Sequence, residues 1–325
     1  MKIGILSRNP NLYSTRRLIE AAQKRDHDVR VIDTLGVAIE IGMPDRVDTG
    51  IKVVESLPHR RRAWGMWSEA ASLLPQVDAI IPRIGASITY YGLTVVRQFE
   101  SYGVITTAAS QAIAQSRDKL HSLQIMQQAG LPIPKTAVIV KPEALYSAIQ
   151  AVGPPPVVVK LIQGTQGRGV ILARNWQTTA AVLEKLRAYN KQALVQEYVA
   201  EAEGRDTRII VVGDRCVAAM TRIAAEGEFR ANLHRGGTAV PVTLDAETER
   251  LALLAARSHG LSVAGVDLIQ SERGPLLLEV NSSPGIEGIE AVTGLDVAGV
   301  MIEFLEKELE KKQNDLVEIA PATGS

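Results

Sequence analysis

The stretch Asp267–Asn281, DLIQSERGPLLLEVN, sets two apolar runs on either side of a Ser-Glu-Arg-Gly-Pro turn, the pattern of a β-hairpin. If the hairpin is symmetric about Arg273, Asp267 stands opposite Glu279. The two-residue period of a strand then puts Asn281 on the same face as Glu279. Two carboxylates and an amide converge. Like charges directly opposed destabilise a sheet unless a cation lies between them, and an all-oxygen donor set suits Mg2+ or Mn2+ bridging to phosphates. The competing reading is a solvated edge with independent charges, and the apolar residues between those charges speak against it.

Upstream, the run PPPVVVKL ends a strand at Lys160 and leads into GTQGRGV, Gly164–Val170. Three glycines let backbone amides approach phosphate oxygens, but the spacing matches neither a P-loop nor a dinucleotide-binding fingerprint. A lysine closing so apolar a strand is best explained by an anion in a cleft, with snorkelling to the strand end as the ordinary alternative. FRANLHRGG, Phe229–Gly237, sets Arg230, His234 and Arg235 beside two glycines, which suits a loop holding phosphate or a developing oxyanion; by itself it reads equally as a basic surface loop. Lys119 in SRDKL lies in a helical stretch and reads by itself as a surface residue.

The 325 residues suit two or three domains, with 46% hydrophobic and 22% charged residues and no apolar run long enough to span a bilayer. The opening MKIGILSRNP has no signal-peptide pattern, so the cytoplasm is the expected location. One cysteine, Cys216, and five scattered histidines argue against a disulfide or zinc site. Lys plus Arg equals Asp plus Glu at 36 each, so no global field favours nucleic acid or an anionic membrane.

KIGIL, a helix over Ser14–Arg25 with Ser14 as N-cap, and VRVID read as β-α-β. Further strands at Asp78–Arg83 and Val104–Thr106, flanking a helix over Ser87–Phe99, complete a parallel α/β domain ending near residue 110. Residues 40 to 76 read as an irregular excursion whose run PHRRRAW reads as a solvated face, with a partner-binding patch as the alternative. A helix from Ser110 to Gln128 opens the next unit, followed by the strand TAVIV and a helix over Thr178–Ala188. ALVQEYV and RIIVVGD read as strands. Asp245 caps a helix carrying Leu251, Leu254 and Ala255 and ended by Gly260, and Asp296 opens a last helix with Val297, Val300, Met301, Phe304 and Leu305 in one stripe.

These pieces, in this order, resemble the ATP-grasp superfamily, and its RimK branch in particular. The resemblance rests on IPRIG, RDKL, VVVKLIQGTQGRGV, VQEYVAEAEGRDTR, FRANLHRGG, AGVDLI and EVNSSPGIEGIE. It implies a mixed α/β and α+β chain: an N-terminal α/β pre-ATP-grasp domain (1–110), a central lobe with a glycine-rich lid (111–190), a C-terminal lobe with a metal site (191–312) and a flexible tail (313–325). By position, the resemblance implies that Lys119 and Lys160 contact ATP phosphates, with Gly164, Gly167 and Gly169 in the lid. Glu197 and Tyr198 would hold adenine and Asp206 would lie against the nucleotide. Arg230 and Asn232 would bind phosphate and the acyl-phosphate region, Arg230 and Lys160 being the catalytic pair. Asp267, Glu279 and Asn281 would coordinate two Mg2+ or Mn2+ ions. Two departures stand out: residues 40–76 run long, and Ala231 replaces an expected serine.

The implied reaction activates a protein or peptide carboxylate with ATP as an acyl phosphate, which the amine of L-glutamate then attacks. The acceptor would be the C-terminus of a ribosomal protein or an acidic peptide, with no nucleic acid or membrane partner, and the protein would form a dimer or tetramer. Arg8 and Arg83, each following a strand of the first domain, are the candidate acceptor-binding cations, with ordinary surface arginines as the competing reading. A related ligase acting on a small amino-acid or cofactor carboxylate is the nearest rival. A nicotinamide dehydrogenase, suggested by β-α-β and Asp33, lacks glycines in its first turn, SRNPNLYS. A non-catalytic ATP-binding module is the third, and the intact metal triad argues against it.

Overall fold

The opening β-α-β forms as β1 (Lys2–Leu6), α1 (Tyr13–Gln23) and β2 (Asp28–Ile32) in a computed structural model that describes residues 1–39, 51–54, 71–73, 77–162, 169–189 and 192–319. Next come β3 (Val37–Ile39), β4 (Ile51–Val54) and β5 (Ala71–Leu73), then β6 (Ala79–Pro82), α2 (Thr89–Ser101) and β7 (Ile105–Thr106). The sheet β2-β1-β6-β7 is parallel throughout, and its apolar strands bury Ile3, Ile5, Ile80 and Ile81 because a parallel sheet is covered on both faces. Within the stretch expected to be irregular, β4 and β5 instead extend β3 into a three-stranded antiparallel sheet. PHRRRAW lies outside the described residues. Ser14 is not the N-cap of α1: the helix starts one residue earlier, behind Leu12, and the buried Ser14 hydroxyl accepts the Ile286 N–H.

The expected helix from Ser110 to Gln128 is two helices, α3 (Ser110–Arg117) and α4 (Lys119–Gln128). Asp118 breaks it, its carboxylate accepting the Leu120 and His121 N–H groups as an N-cap. That break places Lys119 in the first turn of α4. Next come β8 (Thr136–Ile139), α5 (Leu145–Val152), β9 (Val157–Leu161), β10 (Val170–Ala173), α6 (Trp176–Ala188) and β11 (Ala193–Glu197). They form an antiparallel sheet of order β10-β9-β11-β8. One face packs Ile139, Val157, Val159 and Val195 against Ile149 and Leu183 of the two helices. Strand alternation therefore turns Lys160 and Gln196 to the other face.

A second antiparallel sheet, β14-β13-β12-β15-β16, follows from β12 (Arg205–Val212), β13 (Arg215–Ile223), β14 (Thr238–Pro241), β15 (Val263–Ser271) and β16 (Gly274–Asn281). The helix α7 (Ala246–Ser258) is capped as expected by Asp245, which accepts the Thr248 N–H at 2.7 Å. Leu251 and Ala255 are buried, whereas Leu254 is exposed. After α8 (Glu287–Thr293), α9 (Val297–Ile319) closes the chain, with Asp296 accepting the Gly299 N–H. Val297, Met301 and Leu305 are buried together with Ala298 and Ile302.

Contacts divide the chain into Met1–Ala114 with Gly285–Glu287 and Asp296–Ser325, and Gln115–Pro284 with Gly288–Leu295. The last helix thus sits in the first unit, where Asp296 pairs with Arg17 and Glu306 with Arg25 and His27, although the sequence reading groups 191–312 together. It also runs to Ile319 where a flexible tail was expected from residue 313, since QNDLVEI holds no glycine or proline to stop it. No helix among the described residues is long and apolar enough to cross a membrane.

Candidate active site

Asp267 and Glu279 do stand opposite one another, but not in a symmetric hairpin. The turn is the tight pair Glu272–Arg273, which sets Ser271 against Gly274 and Leu268 against Leu277. Continued unbroken, that register would face Asp267 with Leu278. A bulge between Asp267 and Leu268 absorbs one residue and brings Glu279 opposite Asp267, and Asn281 opposite Gly265.

The row continues across the sheet. Arg208 of β12 is the direct partner of Asp267, and Asp206 is the direct partner of Arg222 on β13. Both pairs are bidentate: Arg208 reaches Asp267 at 2.8 and 2.7 Å, Arg222 reaches Asp206 at 2.5 and 2.7 Å, and Arg222 adds a bond to Asp267 Oδ2 at 2.9 Å. Burial would raise the Asp267 pKa, but the two guanidiniums outweigh it and hold the carboxyl below its usual value. At Asp206 burial prevails over Arg222, with the charge of Asp267 adding to it, and the pKa rises to about 6. Arg208 and Arg222 are thereby committed to these carboxylates.

Glu279 is different. It is exposed, and among the described residues no cation closes on it at ion-pair distance. Crowding by the surrounding protein and then the charge of Asp267 raise its pKa, while Arg208, Lys160 and Lys119 act against the rise. Lys119 donates to the Leu161 carbonyl at 3.2 Å, and desolvation lowers its pKa against the pull of Glu279. Lys160 is lowered further, to about 8, by desolvation, with Glu279 opposing and Lys119 assisting. Two lysines and an open carboxylate therefore share one electrostatic neighbourhood.

This donor set fits a divalent cation. Arg208 and Arg222 use three acceptor positions of Asp267, two at Oδ2 and one at Oδ1, which leaves room at Oδ1. Among the described residues no three Asp, Glu, His or Cys side chains are placed to hold a metal ion together, and the candidate set is the two carboxylates of Asp267 and Glu279 with the amide of Asn281, two residues beyond Glu279 on β16.

Arg230 stacks on Phe229 at 5.3 Å and donates to the Val170 carbonyl at 3.2 Å. Glu228 grips it through bonds of 2.9 and 2.6 Å. The bonds from Arg230, against burial, hold the Glu228 carboxyl down at about 2. Tyr198 meets Phe229 edge to face at 6.5 Å. The Glu197 carboxylate accepts the Lys135 N–H at 2.8 Å and pairs with Arg273, so its side chain braces the hairpin turn. Asn232 precedes a short 3-10 turn, and a side chain at Gly237 would strike the Ile223 and Asn232 carbonyl oxygens, so the loop closes only with glycine there. Gly164 and Gly167 lie outside the described residues; Gly169 has φ +76° and backs onto Leu161. In the first unit, Leu6 pairs with Pro82 across parallel strands, so Arg8 and Arg83 follow the same edge of the sheet.

A family model for the RimK-like ATP-grasp domain matches residues 116–305, and one for the RimK PreATP-grasp domain matches residues 1–47 and 66–113. The chain belongs to the RimK-like ATP-grasp family. The "Probable alpha-L-glutamate ligase" of Pseudoalteromonas translucida is 48% identical over 314 residues, covering 96% of this chain and 97% of the relative. That of Vibrio cholerae is 48% identical over 313 residues, covering 96% and 98%. Among solved structures, a RimK domain ATP-grasp protein from Sphaerobacter thermophilus aligns with TM-score 0.68 at 21% identity, covering 94% of this chain and 99% of that one. The ATP-grasp ligase PsnB, complexed with a precursor variant, Mg and ADP, aligns with TM-score 0.69 at 19% identity, covering 94% and 98%. These establish the ATP-grasp fold with its pre-ATP-grasp domain.

Two features of this RimK-like site escape sequence reading. Glu228, two residues before Arg230, looks like loop solvation until its bonds are seen. The alternation of Asp206 and Arg208 along β12 puts two opposite charges on one face, but nothing local says that their partners are Arg222 and Asp267.

Proposed function

We propose that this protein is an ATP-dependent ligase that joins L-glutamate, through its amine, to the C-terminal carboxylate of an acidic acceptor, a ribosomal protein or peptide. The observation carrying the chemistry is Glu279, paired across the strands with Asp267 and within the electrostatic reach of Lys119 and Lys160. The choice of glutamate is supported by the names of relatives 48% identical over nearly the whole chain. An acceptor carboxylate oxygen bonds to the γ-phosphorus while the bond to ADP breaks. The amine of glutamate then bonds to the acyl carbon, loses a proton, and phosphate departs with the former carboxylate oxygen. Bound Mg2+ or Mn2+, two ions on Asp267, Glu279 and Asn281, would neutralise charge on the phosphoryl oxygens. Lys119 and Lys160 hold the phosphates, Arg230 and Asn232 the transferring group, and Glu197 and Tyr198 the adenine, with Asp206 against the nucleotide. No protein nucleophile is needed, so positioning and fixed charge do the work.

Incubating the protein with ATP, Mg2+ and each amino acid, with and without a peptide ending in glutamate, tests this directly. The peptide should gain glutamyl residues as ADP appears. Turnover with another amino acid, or only with a small-molecule carboxylate, overturns the assignment.

Two further results are expected. Because desolvation brings Lys160 to about 8, its ammonium is lost as pH rises through that value, and kcat/KM for ATP, which reports the free protein, should fall there. A profile unchanged until Arg or ordinary Lys values are reached would detach Lys160 from the nucleotide. If Arg83 attracts the acidic acceptor, Arg83→Ala should raise KM for acceptor or glutamate, weaken its salt dependence and leave ATP affinity alone. Equal loss of ATP binding would remove Arg83 from that role.

A further inference from the structure

Lys160 finds its hydrogen-bond acceptor away from the carboxylates. Its ammonium donates to Gln196 Oε1 at 2.6 Å, and Gln196 is 3% exposed. The Gln196 Nε2 donates to Thr136 Oγ1 at 2.8 Å, and the Thr136 hydroxyl donates to the Pro134 carbonyl at 2.8 Å. The direction of this chain is forced. A carbonyl can only accept, so the one hydroxyl proton of Thr136 is spent on Pro134 and its oxygen must accept. Gln196 therefore turns its NH2 to Thr136 and its oxygen to Lys160; a flipped amide would aim two N–H groups at an ammonium.

Register places these groups within reach of one another. Gln196 is paired directly with Thr136 on β8, while Lys160 is paired with Leu194, so Gln196 lies on the diagonal from Lys160 within reach of a long side chain. The strap that supplies Pro134 is itself anchored. Pro132 accepts the Leu277 N–H at 2.8 Å, two residues before Glu279, and Lys135 exchanges bonds with Glu197.

We propose that Thr136 and Gln196 form a one-way hydrogen-bond relay that aims the Lys160 ammonium at the nucleotide phosphates, both acting as positioning residues. This rests on the reading above that Lys160 touches ATP. The relay offers a half-buried ammonium an acceptor that costs no countercharge, leaving the positive charge available to an anionic ligand. Among the described residues, the charged groups acting on Lys160 are Glu279 of β16 and Lys119 of α4, and the relay bonds run through neither.

The test titrates the full-length protein with a non-hydrolysable ATP analogue and Mg2+, from neutral pH upward. Thr136→Val removes the hydroxyl at constant shape and should weaken binding about tenfold, with the alkaline loss of affinity moving to lower pH. Thr136→Ser should restore both. Gln196→Glu puts a carboxylate beside Lys160 and should move the alkaline limb the other way, to higher pH. Thr136→Val should add nothing to Lys160→Ala, because the relay acts through that lysine. Opposite pH shifts from the two changes are not produced by a general loss of packing, and thermal unfolding of each variant accompanies the titration. If the wild type takes up no analogue, or Lys160→Ala binds as tightly, the nucleotide role of Lys160 fails and the relay with it. If Lys160→Ala loses affinity while Thr136→Val and Gln196→Glu keep the wild-type curve, the relay alone is overturned.

Discussion

Glu279→Gln is expected to abolish phosphoryl transfer while leaving the protein folded. The substitution keeps size and shape and removes one negative charge from a side chain that is exposed and has no ion-pair partner among the described residues, so little stability depends on it. Under the proposed function its chemical cost is large, because this charge would help hold the cations against the phosphoryl oxygens. Losing one such electrostatic group typically costs ~3–4 kcal/mol of transition-state stabilisation, a fall of roughly 10²–10³-fold in kcat. ADP release at saturating ATP and metal reads the loss, a Mn2+ titration reads the lost ligand, and a thermal melt reads the intact fold. Full turnover with unchanged metal dependence would sink the assignment of Glu279.

Asp267→Ala should also stop the reaction, and unlike Glu279→Gln it should destabilise the protein. Asp267 is buried and is the bidentate partner of Arg208, with a further bond from Arg222. Removing it strips Arg208 of its bidentate hydrogen-bonded partner, whereas Arg222 keeps Asp206. Breaking a buried ion pair from one side costs about 3–5 kcal/mol, because the remaining charge keeps its desolvation penalty. Urea unfolding measures this as a lower midpoint at similar slope. Asp267→Asn, which retains two hydrogen-bonding atoms, should fall between. An Asp267→Ala protein as stable as wild type would show that the arginine row contributes nothing to the fold. Together the two variants separate a carboxylate that serves only the site from one that serves both site and sheet.

Local pattern determined a good deal of this protein. Short apolar runs located β1, β6, β9, β15 and β16, and the short polar residues Asp245 and Asp296 marked helix starts, because such runs and capping act within a few residues. The confrontation of Asp267 with Glu279 was legible too, though for an incomplete reason: it depends on a bulge, which compensates for a tighter turn than the sequence suggested. Tertiary structure alone decided the rest. Arg208 and Arg222 find Asp267 and Asp206 only once β12 lies between β13 and β15, while Asp296, just before α9, reaches Arg17 and Glu306 of α9 reaches Arg25 and His27 across more than 270 residues of chain. Gln196 and Thr136 come to Lys160 from strands 36 and 24 positions away along the sequence. Such partnerships are set by strand order, register and bulges, which depend on how separate segments bury one another's apolar faces, and the spacing of residues within any one segment carries no record of them.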